Sequence, residues 1–160
     1  LEFRRVLFRS GATNWYAPSY NPASHLFYFL ASEDCSTYFL KPQDFTEGRT
    51  YYSTGVKHPA DQHGKRTLMA FDLQTGKFAW RYVQAGTGRS SGGTMTTAGG
   101  LVFFGDDAES LEAVDAMIGA SLWHFHTGQI MHASPMTYAV DGKQYVAIAS
   151  GSDLFTFALP

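Results

Sequence analysis

The chain has little of what marks several protein classes. Its 160 residues include one cysteine, Cys35, so no disulfide can close within it. No apolar run approaches the roughly 18 residues that a membrane-crossing helix needs, so no membrane span is expected. Charge is sparse, 16% of residues, and almost balanced, with 12 Lys and Arg against 14 Asp and Glu for a formal net charge of −2. Such a surface recommends neither nucleic acid nor an anionic membrane as a partner. What is abundant points elsewhere. Aromatic residues make up 16% of the chain and there are 16 glycines, a composition that suits an all-β protein with many turns better than a helical one. With 44% hydrophobic residues the chain can fill a core.

One segment occurs twice. Leu68-Met-Ala-Phe-Asp-Leu-Gln-Thr-Gly-Lys-Phe-Ala-Trp80 recurs as Leu111-Glu-Ala-Val-Asp-Ala-Met-Ile-Gly-Ala-Ser-Leu-Trp123, and Asp72 to Asp115, Gly76 to Gly119 and Trp80 to Trp123 are each 43 positions apart. A period of about 40 to 50 residues is that of a four-stranded propeller blade. In each copy a short strand ends on Asp, the next four residues make a tight turn in which Gly supplies a positive φ, and the following strand finishes on Trp. An indole there can wedge between neighbouring sheets while its N–H finds a partner, so Trp80 and Trp123 read as blade-docking residues.

Strands are expected at 14–20 and 26–31 around an Asn21-Pro-Ala-Ser turn, then at 37–40, 67–72 and 77–83, with residues 41–66 a polar surface excursion inserted before the last two. Pro18 marks the first of these as bulged or edge-like. A second blade is expected at 94–97, 101–105, 110–115 and 121–126, and a third begins at 134–140, turns at Asp141-Gly142, returns through 144–149 and ends after 154–159, one strand short. A closed propeller often completes its final blade with a strand from the other terminus, so the missing strand points to upstream sequence.

The first ten residues stand apart. Arg4-Arg-Val-Leu-Phe-Arg-Ser10 resembles the translation of a sequencing-library adapter, and residues 1–10 are set outside the fold, which is taken as residues 11–160. The alternative is a genuine basic strand. Without those ten the chain has 9 basic and 13 acidic residues, net −4, and is expected to be the tail of a longer gene.

More specific than the repeat are Gly11-Ala-Thr-Asn-Trp-Tyr-Ala-Pro-Ser-Tyr-Asn-Pro22, Thr97-Ala-Gly-Gly-Leu-Val-Phe-Phe-Gly-Asp106, Ala133-Ser-Pro-Met-Thr-Tyr138 and Asp141-Gly-Lys-Gln-Tyr-Val-Ala-Ile-Ala-Ser-Gly151. In order and spacing they resemble the C-terminal part of quinoprotein alcohol dehydrogenases of the methanol/ethanol type. The resemblance implies an all-β, incomplete β-propeller, about three four-stranded antiparallel blades of an eight-bladed parent. It also implies pyrroloquinoline quinone (PQQ) and calcium, or another divalent or lanthanide ion, near the propeller axis. A small alcohol as substrate, a cytochrome c or quinone pool as electron acceptor and a periplasmic location follow by the same resemblance. In that family the general-base Asp, the metal-ligating Glu, Asn and Asp, and the vicinal Cys pair all lie upstream of the matched region. The resemblance therefore implies a chain with no catalytic residue or metal ligand of its own, inactive alone.

Asn14 is similar to the family Asn that hydrogen-bonds the quinone, a task that suits an amide because it offers a donor and an acceptor without charge. Trp15 stands beside it, more simply as packing. Ser91 and Gly92 occupy a place where many relatives carry a Trp near the cofactor edge, and Gly151 and Ser152 in the last blade are cofactor candidates on resemblance alone. Each has a plainer reading as a turn residue.

Other groups read as structural. Asp72 and Asp115 are turn carboxylates of the repeat. His124 and His126 share a strand face and could join His132 on a transition metal, but no carboxylate partner lies at a matching position. His58, Asp61 and His63 lie in the excursion, and Asp106-Asp-Ala-Glu109 is expected to be a solvated hairpin loop rather than a calcium site. Two other classes stay in view. One is a non-enzymatic scaffold akin to outer-membrane assembly propellers, which would lack the Asn14 motif. The other is a hydrolase or lectin propeller, against which stands the expectation of no nucleophile-base arrangement, neither a Gly-x-Ser-x-Gly motif nor a paired Glu.

Overall fold

The computed structural model describes residues 3–4, 13, 16–33, 36–52, 54–57, 64–86 and 90–158. All of its regular structure is β. The strands are β1 (Phe3–Arg4), β2 (Ser19–Asn21), β3 (Leu26–Glu33), β4 (Thr37–Leu40) and β5 (Thr54–Lys57). They continue with β6 (Lys65–Asp72), β7 (Lys77–Val83), β8 (Thr94–Thr96), β9 (Leu101–Gly105) and β10 (Ser110–Asp115). The last are β11 (Ser121–His126), β12 (Met136–Val140), β13 (Lys143–Ser150) and β14 (Asp153–Ala158).

Two units divide the chain, one of Leu1–Asn14 with Ser32–Lys65 and the other of Trp15–Ala31 with Arg66–Pro160. The second contains the repeat. Its strands form sheets in the orders β2-β3-β6-β7, β8-β9-β10-β11 and β12-β13-β14, so each chain segment pairs antiparallel with its neighbour like a blade of a propeller, and the last sheet has three strands. The repeat is reproduced down to an irregularity: register slips between Ala70 and Phe71 opposite Trp80 and Phe78, and 43 positions on between Ala113 and Val114 opposite Trp123 and Ser121. A bulge at the same place in both sheets re-aims the end of each outer strand.

The strand expected at 37–40 is not part of the first blade but belongs, with part of the excursion, to a sheet in the first unit. β4 and β5 pair antiparallel, with Tyr38 opposite Val56, and β1 adds to the other edge of β4, with Phe3 opposite Tyr38. The excursion thus contributes β5 to a small three-stranded sheet. The rest of residues 1–10 lies outside the described residues. At the other end of the prediction, β2 is shorter than residues 14–20: Pro18 lacks an N–H for a ladder, and the strand starts after it.

The sheets of the second unit bury two cores. Leu26, Tyr28 and Leu30 of β3 and Leu68 and Ala70 of β6 meet Val102, Phe104, Val114 and Ala116 of the next sheet, with Trp80 and Tyr82 packed against them. On the opposite face Phe103, Leu111 and Ala113 meet Met131 and Ile148, with Phe155 and Phe157 alongside. Alternation along β9 sends Val102 and Phe104 one way and Phe103 the other, as a strand sandwiched between two neighbours requires. Each large side chain so buried contributes about 1.5–3 kcal/mol.

Candidate functional site

The turn after each repeat strand is built by its Asp. Asp72 Oδ1 accepts from the Gln74 amide at 2.8 Å and Asp72 Oδ2 from the Thr75 hydroxyl at 2.8 Å, while the Gly76 amide donates to the Asp72 carbonyl at 2.9 Å. The Thr75 hydroxyl foremost, with the turn amides, holds the Asp72 carboxyl below its ordinary range. Asp115 accepts in the same way from Met117 and Ile118 at 2.7 and 3.1 Å. Both carboxylates are therefore occupied by their own turns.

Trp80 docks on the next sheet. Its Nε1 donates to the Ala116 carbonyl at 2.9 Å, the Tyr28 hydroxyl donates to the same oxygen at 3.0 Å, and the two rings lie 5.8 Å apart. Trp123, 40% exposed, packs edge-on to Phe157 at 5.2 Å. Ala116 lies 36 positions beyond Trp80; the same offset from Trp123 is Leu159, outside the described residues.

Three segments converge where the chain enters the first strands of the sheets. Residues 90–94 lie between residues 131–134 on one side and Ala17 on the other. The Ser91 amide donates to the Met131 carbonyl at 2.9 Å, the Gly93 amide to Ser134 Oγ at 3.0 Å and the Thr94 amide to the Ala17 carbonyl at 2.8 Å. Ser91 Oγ meets His132 Nδ1 at 2.5 Å. Gly92 and Gly93 are buried, and a Cβ on either would collide with backbone, the Ala133 carbonyl for Gly92 and the Ala17 carbonyl for Gly93. Close approach of three backbones explains why glycines stand here.

Of the sequence-predicted cofactor residues, Ser91 and Gly92, neighbours in the chain, lie in this convergence. Gly151 and Ser152 form the two-residue turn between β13 and β14; the Ser152 amide donates to Gln129 Oε1 at 3.3 Å, and Gly151 also packs on the Gln129 side chain. Asn14 and Trp15 lie outside the described residues, as do Cys35, His58, Asp61 and His63. His132 is engaged with Ser91, whereas His126 Nδ1 lies 3.2 Å from the Ala108 carbonyl, so the histidines have separate partners. Among the described residues no group of three His, Cys, Asp or Glu side chains is placed to hold a metal ion.

Two expectations need correction. Residues 88–92, Gly-Arg-Ser-Ser-Gly, do have the spacing of a hydrolase nucleophile elbow, and a serine–histidine pair is present. Yet the central Ser90 is 2% exposed and donates its hydroxyl to the Asp106 carbonyl at 2.9 Å, and residue 94 begins a strand rather than the helix an elbow requires. The second concerns Asp106 and Asp107, which are 1% and 6% exposed rather than solvated. Asp106 Oδ1 accepts from the Ala108 amide at 2.6 Å, Asp107 Oδ1 accepts from the Ser90 amide at 2.8 Å, and Arg66 NH1 lies 3.6 Å from the same Asp107 oxygen.

These carboxylates belong to a buried polar group that sequence reasoning missed, with Gln84 and, in the middle of β10, Glu112. The signal for Glu112 was its place in the alternation: it pairs with Phe104 across the ladder and faces the same core. Burial pushes the Asp106, Asp107 and Glu112 carboxyls up, and burial likewise pushes the Tyr82 phenol up to about 12. The Ser121 hydroxyl, donating to Glu112 Oε2 at 3.0 Å, offsets part of the effect on Glu112.

A carboxyl raised in the folded state stabilises the fold below its unfolded value and loses that contribution as pH rises through the folded value. Glu112→Gln, which keeps an acceptor for Ser121, should therefore raise the melting temperature at pH 7. The gain should vanish below about pH 4.5, the ordinary glutamate value. Thermal melts across that range check it; a lower midpoint at pH 7 would show that the charge itself is needed.

Residues 83–146 match the family model of the glucose/ethanol/alcohol dehydrogenase β-propeller domain, PQQ. Fold and match together define a PQQ-type β-propeller segment, its sheets not closed into a ring among the described residues. Its homologues are quinoprotein alcohol dehydrogenases. 1-Butanol dehydrogenase (quinone) of Thauera butanivorans is 37% identical over 143 residues, covering 88% of this chain and 22% of that protein. Quinoprotein alcohol dehydrogenase PedH of Pseudomonas putida is 33% identical over 142 residues, covering 88% and 24%. The solved quinohemoprotein alcohol dehydrogenase of Comamonas testosteroni superposes with a TM-score of 0.81 at 29% identity, over 94% of this chain and 24% of that one. A europium-containing methanol dehydrogenase gives 0.81 at 27% identity, over 94% and 27%. The chain spans about a fifth to a quarter of the length of these relatives.

Proposed function

We propose that the chain is part of a PQQ-dependent alcohol dehydrogenase that oxidises a small alcohol to the aldehyde, and that it supplies one stretch of the wall around the quinone. The observation that carries this reading is the convergence of residues 90–93 with His132 and Ala17 at the start of the inner strands, in a chain whose relatives are quinoprotein dehydrogenases.

The residues fit a planar polar cofactor. Gly92 and Gly93 let the Ala133 and Ala17 backbones close on this segment, while Ser91 and His132 offer hydroxyl and imidazole groups to the edge of a ligand. Asn14 and Trp15 extend the same wall by resemblance, and Gly151 and Ser152 would reach it from the last sheet. PQQ supplies the two-electron oxidant when bound; this chain's part is to position it and keep water from its edge. No metal donor is assigned, since the described residues hold no suitable group. Calcium or a lanthanide would be held by residues from elsewhere in the protein, as would the general base. Two relatives, another 1-butanol dehydrogenase of Thauera butanivorans and a lupanine 17-hydroxylase of a Pseudomonas, have cytochrome c in their names, which supports a cytochrome as electron acceptor here. A periplasmic location belongs to the same proposal, as does the placing of residues 1–10 outside the native fold.

The 160-residue chain alone, given PQQ and calcium, should show no dye-linked alcohol oxidation above a no-protein control. The 1-butanol dehydrogenase (quinone) of Thauera butanivorans, with its matching segment replaced by residues 13–158, should retain quinone, seen as cofactor absorbance eluting with the protein. A swap that folds but leaves the quinone behind overturns the proposal.

A further inference from the structure

We propose that Asp107, held by Arg66 across the gap between two sheets, is a positioning residue that fixes residues 90–93 as a cofactor wall. This rests on the functional reading above and names a residue that touches no ligand itself.

The backbone is tied down from the end of β7 onward. The Gln84 amide donates to the Arg66 carbonyl at 2.9 Å, and Gln84 Oε1 accepts from the Asp107 amide at 3.1 Å, so the end of one sheet and the loop after β9 are tied by a single side chain. A Cβ on Gly86 would lie 2.6 Å from the Asp107 carbonyl oxygen, which shows how closely the two segments pass. Ser90 is then anchored twice to this loop: its amide donates to Asp107 Oδ1 at 2.8 Å and its hydroxyl to the Asp106 carbonyl at 2.9 Å. Immediately after this double anchor come Ser91, Gly92 and Gly93.

Beyond this anchor, the amides of Ser91, Gly93 and Thr94 donate to Met131, Ser134 and Ala17, the Ser91 hydroxyl meets His132, and the Thr94 hydroxyl meets the Tyr28 carbonyl and the Ser19 hydroxyl. Asp107 is thus the side chain that anchors the backbone of this segment at its Ser90 end, beside the Asp106 carbonyl, and its bond is charge-assisted. The carboxylate is buried, and Arg66, 16% exposed in its side chain, provides the countercharge at 3.6 Å. Removing that countercharge leaves an uncompensated buried anion, so Arg66 acts on residues 90–93 through Asp107.

Amide hydrogen exchange on the full 160-residue chain tests this directly. Asp107→Ala should speed exchange at Ser90, and through it at Ser91 and Gly93, by roughly tenfold, while amides of β10 and β13 keep their protection. Asp107→Asn preserves the acceptor and should restore most of the protection at Ser90; a role resting on packing alone would not distinguish Asn from Ala in this way. Should the alanine variant unfold globally, the Asn variant and Arg66→Met decide: protection at Ser90 kept in the first and reduced in the second supports the inference, and the reverse order overturns it.

In the Thauera swap, Asp107→Ala should release quinone about tenfold more readily and Asp107→Asn should not. A swap that binds no quinone at all sinks the functional reading while the exchange result still judges the anchor. Equal quinone retention in the wild-type and Asp107→Ala swaps, or unchanged Ser90 exchange in a folded Asp107→Ala chain, overturns the inference itself.

Discussion

Trp80→Ala should destabilise the chain by about 3 kcal/mol, the lower end of the range for removing a large aromatic side chain from a core. The indole is half buried against the core that joins two sheets, and its N–H reaches the Ala116 carbonyl at 2.9 Å. Its loss opens a cavity beside Tyr28, whose ring is 5.8 Å away. Trp80→Phe keeps a ring over the same surface and removes only the N–H bond. The Ala116 oxygen would still accept from the Tyr28 hydroxyl at 3.0 Å, so the cost should fall to about 1 kcal/mol. Trp123→Ala, at a ring 40% exposed, should cost less than Trp80→Ala. Urea denaturation measures all three; a Trp80→Ala loss no larger than that of Trp123→Ala would remove the indole as the link between sheets.

The second large effect is expected at Gly119 and is measured against Gly76, its counterpart in the repeat. The two have similar backbone geometry, φ of 71° and 68°. An alanine at either should cost about 1–2 kcal/mol for the left-handed conformation. Only Gly119 lies beneath an indole. A Cβ there would come 2.5 Å from Trp80 Cε3, whereas one on Gly76 would meet nothing within 4 Å. Gly119→Ala should therefore displace the ring and cost roughly 3 kcal/mol in all. In a Trp80→Ala background that excess should disappear, leaving Gly119→Ala no worse than Gly76→Ala, a coupling that a double-mutant cycle reads. Equal losses at the two glycines in the wild-type background would mean that the turn alone requires them.

Much of this architecture is written locally. The tight turns at 73–76, 116–120 and 141–142 punctuate alternating runs, which is why β7, β9, β10 and β11 fall where the pattern puts them. Trp80 and Trp123 could be recognised as docking residues from the repeat alone. What the pattern did not carry depends on partners distant in sequence. Thr37–Leu40 reads as a strand, but its pairing with Thr54–Lys57 crosses a polar stretch without a turn signal strong enough to announce it. Asp106 and Asp107 look solvated because two adjacent acids in a loop usually are. The partners of Asp107, Ser90 and Arg66, lie 17 and 41 positions away, and Ser90 also reaches the Asp106 carbonyl.

The candidate site was legible in a different way. Ser91 and Gly92 were singled out by resemblance, and chemistry alone would have passed over a small polar residue before a glycine pair. The structure adds a physical reason for the pair, the approach of the Ala133 and Ala17 carbonyls, and it adds His132 as the partner of Ser91. Gly92 is thus required by packing whether or not a quinone lies beside it, so the glycines by themselves do not distinguish a cofactor wall from a closely packed scaffold.

That distinction is made most directly by a crystal structure of the quinone-loaded Thauera swap carrying residues 13–158. The account predicts the cofactor edge in van der Waals or hydrogen-bond contact with residues 91–93, with the Ser91–His132 pair turned toward it. Quinone bound elsewhere, with Ser91 and His132 facing only solvent, would contradict it.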